Sequence, residues 1–268
     1  VAETVFEEKR FEAAWSGKSP ELRKRGLPFW DSIVAKAGVK IISMITTEAC
    51  DAYLLSESSL IVYPSRVILL TSGGGPLTGP ALALLGAVGT ESLSRFIYER
   101  RPAKLDPRAL AFGDEVAELA RLLPAVPGVE QRPDGTWSAL FDRGGLAGAF
   151  TLEVSMAGID RDVRALFRVG PEADTSSIHG LLPDFDCDEH FFEPDGYSLN
   201  ALKGEDYFTV HVTPDARATF ETTFRPKAGM AAVVSRVTSL FMPEEYTVCA
   251  FEGRRPIGAP VTTVAGSR

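Results

Sequence analysis

Cysteine is scarce in this chain: Cys50, Cys187 and Cys249 are the only three in 268 residues, far apart and in no CxxC or metal-type spacing. That argues against a disulfide framework and suits a reducing compartment. Histidine is as rare, with His179, His190 and His211 alone. No HExxH or His/Cys cluster occurs, so no metal is expected. Positive charge is in deficit: 28 Lys and Arg against 36 Asp and Glu give a formal charge of -8. That is the wrong sign for neutralising phosphates, and nucleic acid is not an expected partner. Long apolar runs are missing too. The richest, Pro80 to Val88, is far too short to span a bilayer, and Val1 to Lys9 carries three glutamates instead of a basic-then-apolar leader. The expectation is a cytoplasmic chain with no membrane anchor.

What is present, 45% hydrophobic and 24% charged residues, can bury one large core or two smaller ones. Phe6 to Trp15 has helical composition and ends at Gly17, and Ser19-Pro20-Glu21-Leu22 reads as an N-cap followed by proline at the first helical position. Pro28 to Ala37 reads as a helix stopped by Gly38, followed by a strand over Val39 to Thr46. Ala52 to Leu55, Leu60 to Tyr63 and Arg66 to Thr71 are short apolar pieces, as in an antiparallel meander. A glycine run, Gly73 to Gly75, leads into a helix around Ala81 to Val88 but lacks the lysine or spacing of a phosphate loop. Ser92 to Glu99 reads as a strand and Asp114 to Leu123 as an amphipathic helix.

The second half repeats the mixture. Trp137 to Phe141 and Ala149 to Met156 suggest a hairpin around Asp142-Arg143-Gly144-Gly145, and Arg161 to Val169 suits a helix. Gly170 to Glu189 reads as a long surface loop. Strands follow at Tyr197 to Leu202, Tyr207 to Thr213 and Thr219 to Phe224, then a helix over Ala228 to Leu240, a closing strand over Glu245 to Phe251 and a loose tail. The expected fold is α+β: a four-layer αββα sandwich of two antiparallel sheets flanked by helices. It is read as one domain over residues 1–268, its halves related by a distant duplication without a strict repeat.

For the chemistry, Ser58 is in no GxSxG elbow, and it lies in a meander instead of at a strand-to-helix turn. His179 and His190 fall in the polar loop and read as structural or exposed. His211 sits mid-strand and shares a face with Thr209 and Thr213. What remains is Glu57-Ser58 with a distant His211. A serine hydroxyl facing its own preceding carbonyl can attack it, passing through an oxyoxazolidine to an ester. Loss of the Ser58 Cα proton then expels the Glu57 carboxylate and leaves dehydroalanine, which hydrolyses to a pyruvoyl group. Read alone, Glu57-Ser58-Ser59 is an ordinary polar turn between two strands.

Several segments in order resemble the eukaryotic-type pyruvoyl-dependent S-adenosylmethionine decarboxylases. They are Phe6-Glu7-Glu8-Lys9, Trp30-Asp31, Ile41-Ile42-Ser43, Ala52-Tyr53, Leu55-Ser56-Glu57-Ser58-Ser59, Thr151-Leu152-Glu153, Phe192 to Asn200, His211-Val212-Thr213-Pro214 and Phe220-Glu221-Thr222. The resemblance implies cleavage after Glu57 into chains 1–57 and 58–268, with a pyruvoyl cofactor formed from Ser58. It implies that His211 takes the Ser58 Cα proton, Ser198 binds the oxyoxazolidine, Glu8 serves the reacting centre and Glu153 supports processing. Phe6 and Phe192 would sandwich the adenine of S-adenosylmethionine, with Leu55 and Asp215 also on the substrate. The pyruvoyl carbonyl would condense with the substrate amine and withdraw electrons as carbon dioxide leaves, feeding spermidine synthesis.

Three positions depart from the family pattern. Ser72 stands where the family has a proton-donating Cys, Asp215 where it usually has Glu, and Ala149 where some members carry an acidic residue for putrescine activation, so no putrescine stimulation is expected. A basic amino acid such as ornithine or arginine as substrate, or an unprocessed silent homologue, are the alternatives. The expected partners are a small-molecule substrate and, at most, a second copy of the chain.

Overall fold

Alternation decides the first element against its composition. In Glu8–Trp15 (β1), Phe11, Ala13 and Trp15 join one apolar core while Arg10 and Glu12 point the other way, and all five are buried. The helix expected over Phe6 to Trp15 is therefore a strand across its described part. It is hydrogen-bonded on both sides, and that pairing overrides the helical preference of its Ala, Glu and Lys residues.

These descriptions come from a computed structural model that describes residues 8–17, 20–56, 58–71, 77–101, 111–132, 135–143, 150–193, 195–225, 229–253 and 255–264. The chain divides into two units, Val1–Met44 with Ala49–Leu146, and Ile45–Glu48 with Ala147–Arg268. The first sheet takes β1, β2 (Ile41–Thr46), β3 (Asp51–Leu55), β4 (Ser58–Val62), β5 (Arg66–Thr71), β6 (Leu93–Arg101), β7 (Gly128–Gln131) and β8 (Trp137–Asp142). Its order is β2-β3-β4-β5-β1-β6-β8-β7, and every adjacent pair with a described register is antiparallel. Helices α1 (Leu27–Val34), α2 (Thr78–Val88) and α3 (Ala111–Leu119) pack on one face through Trp30, Ile33, Leu84, Phe112 and Val116. Burial of such side chains contributes roughly 1.5–3 kcal/mol each. A 3-10 turn, Ala35–Ala37, continues α1, and Gly38, at φ 77, supplies the expected stop after it. The N-cap expected at Ser19 lies outside the described residues, and a short 3-10 turn, Leu22–Arg25, follows Glu21 without a side-chain cap.

The second sheet takes β9 (Phe150–Ile159), β10 (Asp186–Phe191), β11 (Tyr197–Lys203), β12 (Asp206–Thr213), β13 (Arg217–Thr222), β14 (Pro243–Glu252), β15 (Arg255–Pro256) and β16 (Val261–Val264). Its order is β10-β11-β12-β13-β9-β14-β15, with β16 also pairing β14. Helices α4 (Arg161–Ala165), α5 (Ser176–His179) and α6 (Met230–Phe241) cover its apolar face through Val163, Ile178, Val237 and Phe241. Two antiparallel sheets with flanking helices, as expected, make up the fold.

Both sheets share one connectivity: an opening strand, helix, four-strand meander, helix, and a strand returning beside the first, giving β2-β3-β4-β5-β1-β6 and β10-β11-β12-β13-β9-β14. This repetition fits the duplication expected from the sequence. It also makes the β3–β4 connection, residues 56–57, the counterpart of the β11–β12 connection at Gly204-Glu205. There Gly204, at φ 60, provides the conformation a two-residue hairpin needs.

Three further expectations change. Trp137 to Phe141 and Ala149 to Met156 are not a hairpin: β8 pairs with β6 and β7, whereas β9 lies between β13 and β14 of the other sheet. The loop expected over Gly170 to Glu189 contains α5 and most of β10, which pairs along its length with β11. The expected loose tail contains β15 and β16, the latter in register with Glu245 to Val248. Alternation identifies a strand but not its partner.

Candidate active site

In the first unit, Ser58 opens β4 directly after the two-residue connection from β3. It is wholly buried, lies opposite Thr71, and its Oγ has no hydrogen-bond partner among the described residues. Alternation puts Ser58 on the same face as Leu60 and Val62 of the apolar core. An unsatisfied buried hydroxyl costs about 1–3 kcal/mol and calls for an explanation. On the other side of the connection, the Ser56 N–H donates to the Lys40 carbonyl at 3.0 Å, and the Lys40 N–H donates to Ser56 Oγ at 3.2 Å. The chain is thus held on both flanks of Glu57. Neither Ser nor Glu is favoured in a two-residue hairpin, unlike the glycine of the counterpart turn.

Leu55, ending β3, is fully buried in the core. Glu8 opens β1 opposite Arg101, whose Nη1 donates to its carboxylate at 2.8 Å. Behind Glu8 on the same sheet lies a charged network that sequence reasoning missed. Arg10 Nη2 meets Glu12 at 2.7 Å, and Arg132 Nη1 meets Glu99 at 3.2 Å, all four residues being buried. The available signal was the charge at Arg10 and Glu12 alternating with Phe11 and Ala13 along one strand. Phe6, Glu57, Ser72 and Ala149 lie outside the described residues.

In the second unit the face opposite the helices carries rows of polar side chains. Ser198 on β11 and His211 on β12 are direct cross-strand partners, and Ser198 Oγ lies 2.9 Å from His211 Nδ1. Both are buried, and burial pushes the His211 pKa down to about 4, so its imidazole is neutral near pH 7. A neutral imidazole tied at Nδ1 to a hydroxyl can serve as a base through its other nitrogen.

Glu153 on β9 is buried one row further along, in register between Glu221 on β13 and Cys249 on β14. Glu221 accepts a hydrogen bond from the Tyr207 hydroxyl. Asp215 lies in the β12–β13 turn, where it accepts from Thr213 Oγ1 at 2.5 Å and pairs with Arg217 Nε at 3.2 Å. Phe192 follows β10, and its N–H donates to the Gly196 carbonyl at 2.8 Å. A Cβ at Gly196 (φ 132) would meet the Phe192 side chain at 3.4 Å, so glycine allows this close approach.

His190, read from the sequence as a loop histidine, is on β10 directly opposite Ser198. Its signal was local alternation: it lies two residues before Phe192, and its ring packs edge-on against that ring at 4.8 Å. Among the described residues, no group of three or more His, Cys, Asp or Glu side chains could hold a metal ion, and no helix is long and apolar enough to cross a membrane.

The family model for adenosylmethionine decarboxylase matches residues 3–127 and 144–260. S-adenosylmethionine decarboxylase proenzyme 1 of Arabidopsis thaliana is 32% identical over 247 residues, covering 81% of this chain and 68% of that protein. The S-adenosylmethionine decarboxylase proenzyme of Dictyostelium discoideum is 30% identical over 256 residues, covering 87% and 67% respectively. Among solved structures, the Trypanosoma brucei AdoMetDC-delta26 monomer matches with a TM-score of 0.58 at 23% identity, over 71% of this chain and 78% of that one, and so shares the fold. The chain belongs to the adenosylmethionine decarboxylase family.

Proposed function

We propose that this chain is a self-processing, pyruvoyl-dependent decarboxylase of S-adenosylmethionine, producing the aminopropyl donor for spermidine synthesis. The observation that carries the reading is the Ser58 hydroxyl. It is fully buried, without a hydrogen-bond partner among the described residues, and placed at the start of a strand whose preceding connection is anchored through Ser56. Such a hydroxyl is free to turn on the Glu57 carbonyl, which suits a serine that becomes a prosthetic group. In this reading Ser58 attacks Glu57 to form the ester. His211, neutral and oriented by Ser198, then takes the Cα proton, and Glu57 leaves as a carboxylate. Hydrolysis of the resulting dehydroalanine releases ammonia.

A pyruvoyl group supplies an electron-withdrawing carbonyl for the substrate amine. The chain's own residues bind and position the substrate. Phe6 and Phe192 stack on the adenine, Asp215 takes the ribose hydroxyls, Leu55 closes the apolar side, and Glu8 serves the reacting centre. Glu153 supports processing, and Ser72 takes the proton-donating place of a cysteine. Three free cysteines suit a cytoplasmic setting.

The test is carbon dioxide release from carboxyl-labelled S-adenosylmethionine, ornithine and arginine by the purified protein. Release from S-adenosylmethionine alone is expected. Release confined to either basic amino acid would overturn the substrate assignment.

A further inference from the structure

A buried base has to dispose of the proton it takes. His211, Ser198 and His190 are consecutive members of one row across β12, β11 and β10, because His211 is opposite Ser198 and Ser198 is opposite His190. The inner two are buried, whereas His190 stands half-buried on β10, an edge of the described sheet. Its ring touches Phe192 and makes no hydrogen bond to any described residue. We propose that His190 is the outer station of a proton relay that runs from His211 through the Ser198 hydroxyl to the sheet edge. The relay rests on the reading of His211 as the base in processing.

The step moves protons only. As His211 Nε2 gains the Ser58 Cα proton, its Nδ1 proton passes to Ser198 Oγ across the 2.9 Å contact, and the Ser198 hydroxyl proton passes on to a ring nitrogen of His190. The electron pair of the Cα–H bond becomes the new Cα=Cβ double bond, and the Ser58 Cβ–Oγ bond breaks with its own pair leaving on the Glu57 carboxylate. His211 ends neutral, Ser198 ends as a hydroxyl, and the charge rests on the ring nearest the edge. A charged His211 would be penalised by its burial, which gives the proton a direction of travel. Directly opposed residues in an antiparallel pair have Cβ atoms about 4.5–5.5 Å apart, which puts the Ser198 hydroxyl and the His190 imidazole within the span of one bridging water that carries the proton between them. Asp188, two residues before His190 on the same face, is the charged group beside it; across on β11 stand Ser198 and Asn200, both neutral.

The test follows processing of newly synthesised chain in a cell-free system, with His190→Ala and His190→Gln beside the wild type. Hydroxylamine cleavage reports the ester, and intact mass reports the pyruvoyl chain. Both variants are expected to slow pyruvoyl formation by about 10-fold or more and to accumulate ester. Added imidazole should restore His190→Ala in proportion to its concentration and leave His190→Gln slow. Wild-type rates in both variants, or slowing that imidazole does not relieve, would overturn the relay and leave the decarboxylase reading standing. A wild-type chain that stays uncut would overturn both.

Discussion

His211 carries a pH signature that can be read without any substrate. Its pKa in the folded protein is pushed by burial from 6.5 to about 4. The unfolded chain therefore binds a proton at higher pH than the folded one. Stability from the neutral ring is fully present above about pH 6.5 and is lost as pH falls toward about pH 4. Each pKa unit between the two states is worth about 1.4 kcal/mol, so the shift amounts to roughly 3 kcal/mol, most of it lost between about pH 7.5 and pH 4.5. His211→Gln keeps a polar partner for Ser198 but cannot titrate. Urea unfolding at the two pH values, with both proteins carrying Ser58→Ala so that neither is cut, should show the chain with His211 losing roughly 2–3 kcal/mol more than the His211→Gln chain, since all other titrating groups are then shared. Parallel losses would mean that His211 is not a buried neutral imidazole, and its assignment as a base ready at pH 7 would fall with it.

Ser198→Ala removes the oxygen that holds His211 Nδ1 at 2.9 Å; pyruvoyl formation should slow by about 10²-fold and stability fall by about 1–3 kcal/mol, measured by intact mass and urea unfolding. Ser72→Cys restores a group that is a far better acid near neutral pH, and decarboxylation turnover should rise by about 10-fold; unchanged turnover and product would count against a proton-donating role at this position. Glu99→Gln leaves the buried guanidiniums of Arg10 and Arg132 without their shared carboxylate and should cost about 3 kcal/mol in urea unfolding, whether or not the chain has been cut.

Much of the fold was legible because its meander strands are short, apolar and broken by turn residues: β3, β4 and β5 lie within a few residues of their expected bounds. Pairing was not legible. Asp142 and Arg143 with two following glycines look like a hairpin, yet β8 and β9 belong to different sheets, since a strand's alternation does not name its neighbour. β1 was hidden by helix-forming residues in a strand paired on both sides. In the site, alternation correctly put His211 on a polar face, but its pairing with Ser198 is a matter of register between strands and could be anticipated only from the family resemblance. His190 was lost because the polar stretch running up to it reads as loop, and its alternation with Phe192 is too short to mark Asp186–Phe191 as a strand until β11 is placed against it.

The account stands or falls on whether Ser58 reacts, and intact mass of the purified wild-type chain beside Ser58→Ala measures that most directly. The wild type should appear as two chains parted between Glu57 and Ser58, the larger blocked at its start by a pyruvoyl group. Ser58→Ala should remain a single chain of 28.9 kDa, folded at least as stably, because the hydroxyl it loses has no partner among the described residues. A wild-type protein that remains one uncut chain, or one cut with an ordinary serine at the new start, would contradict the account.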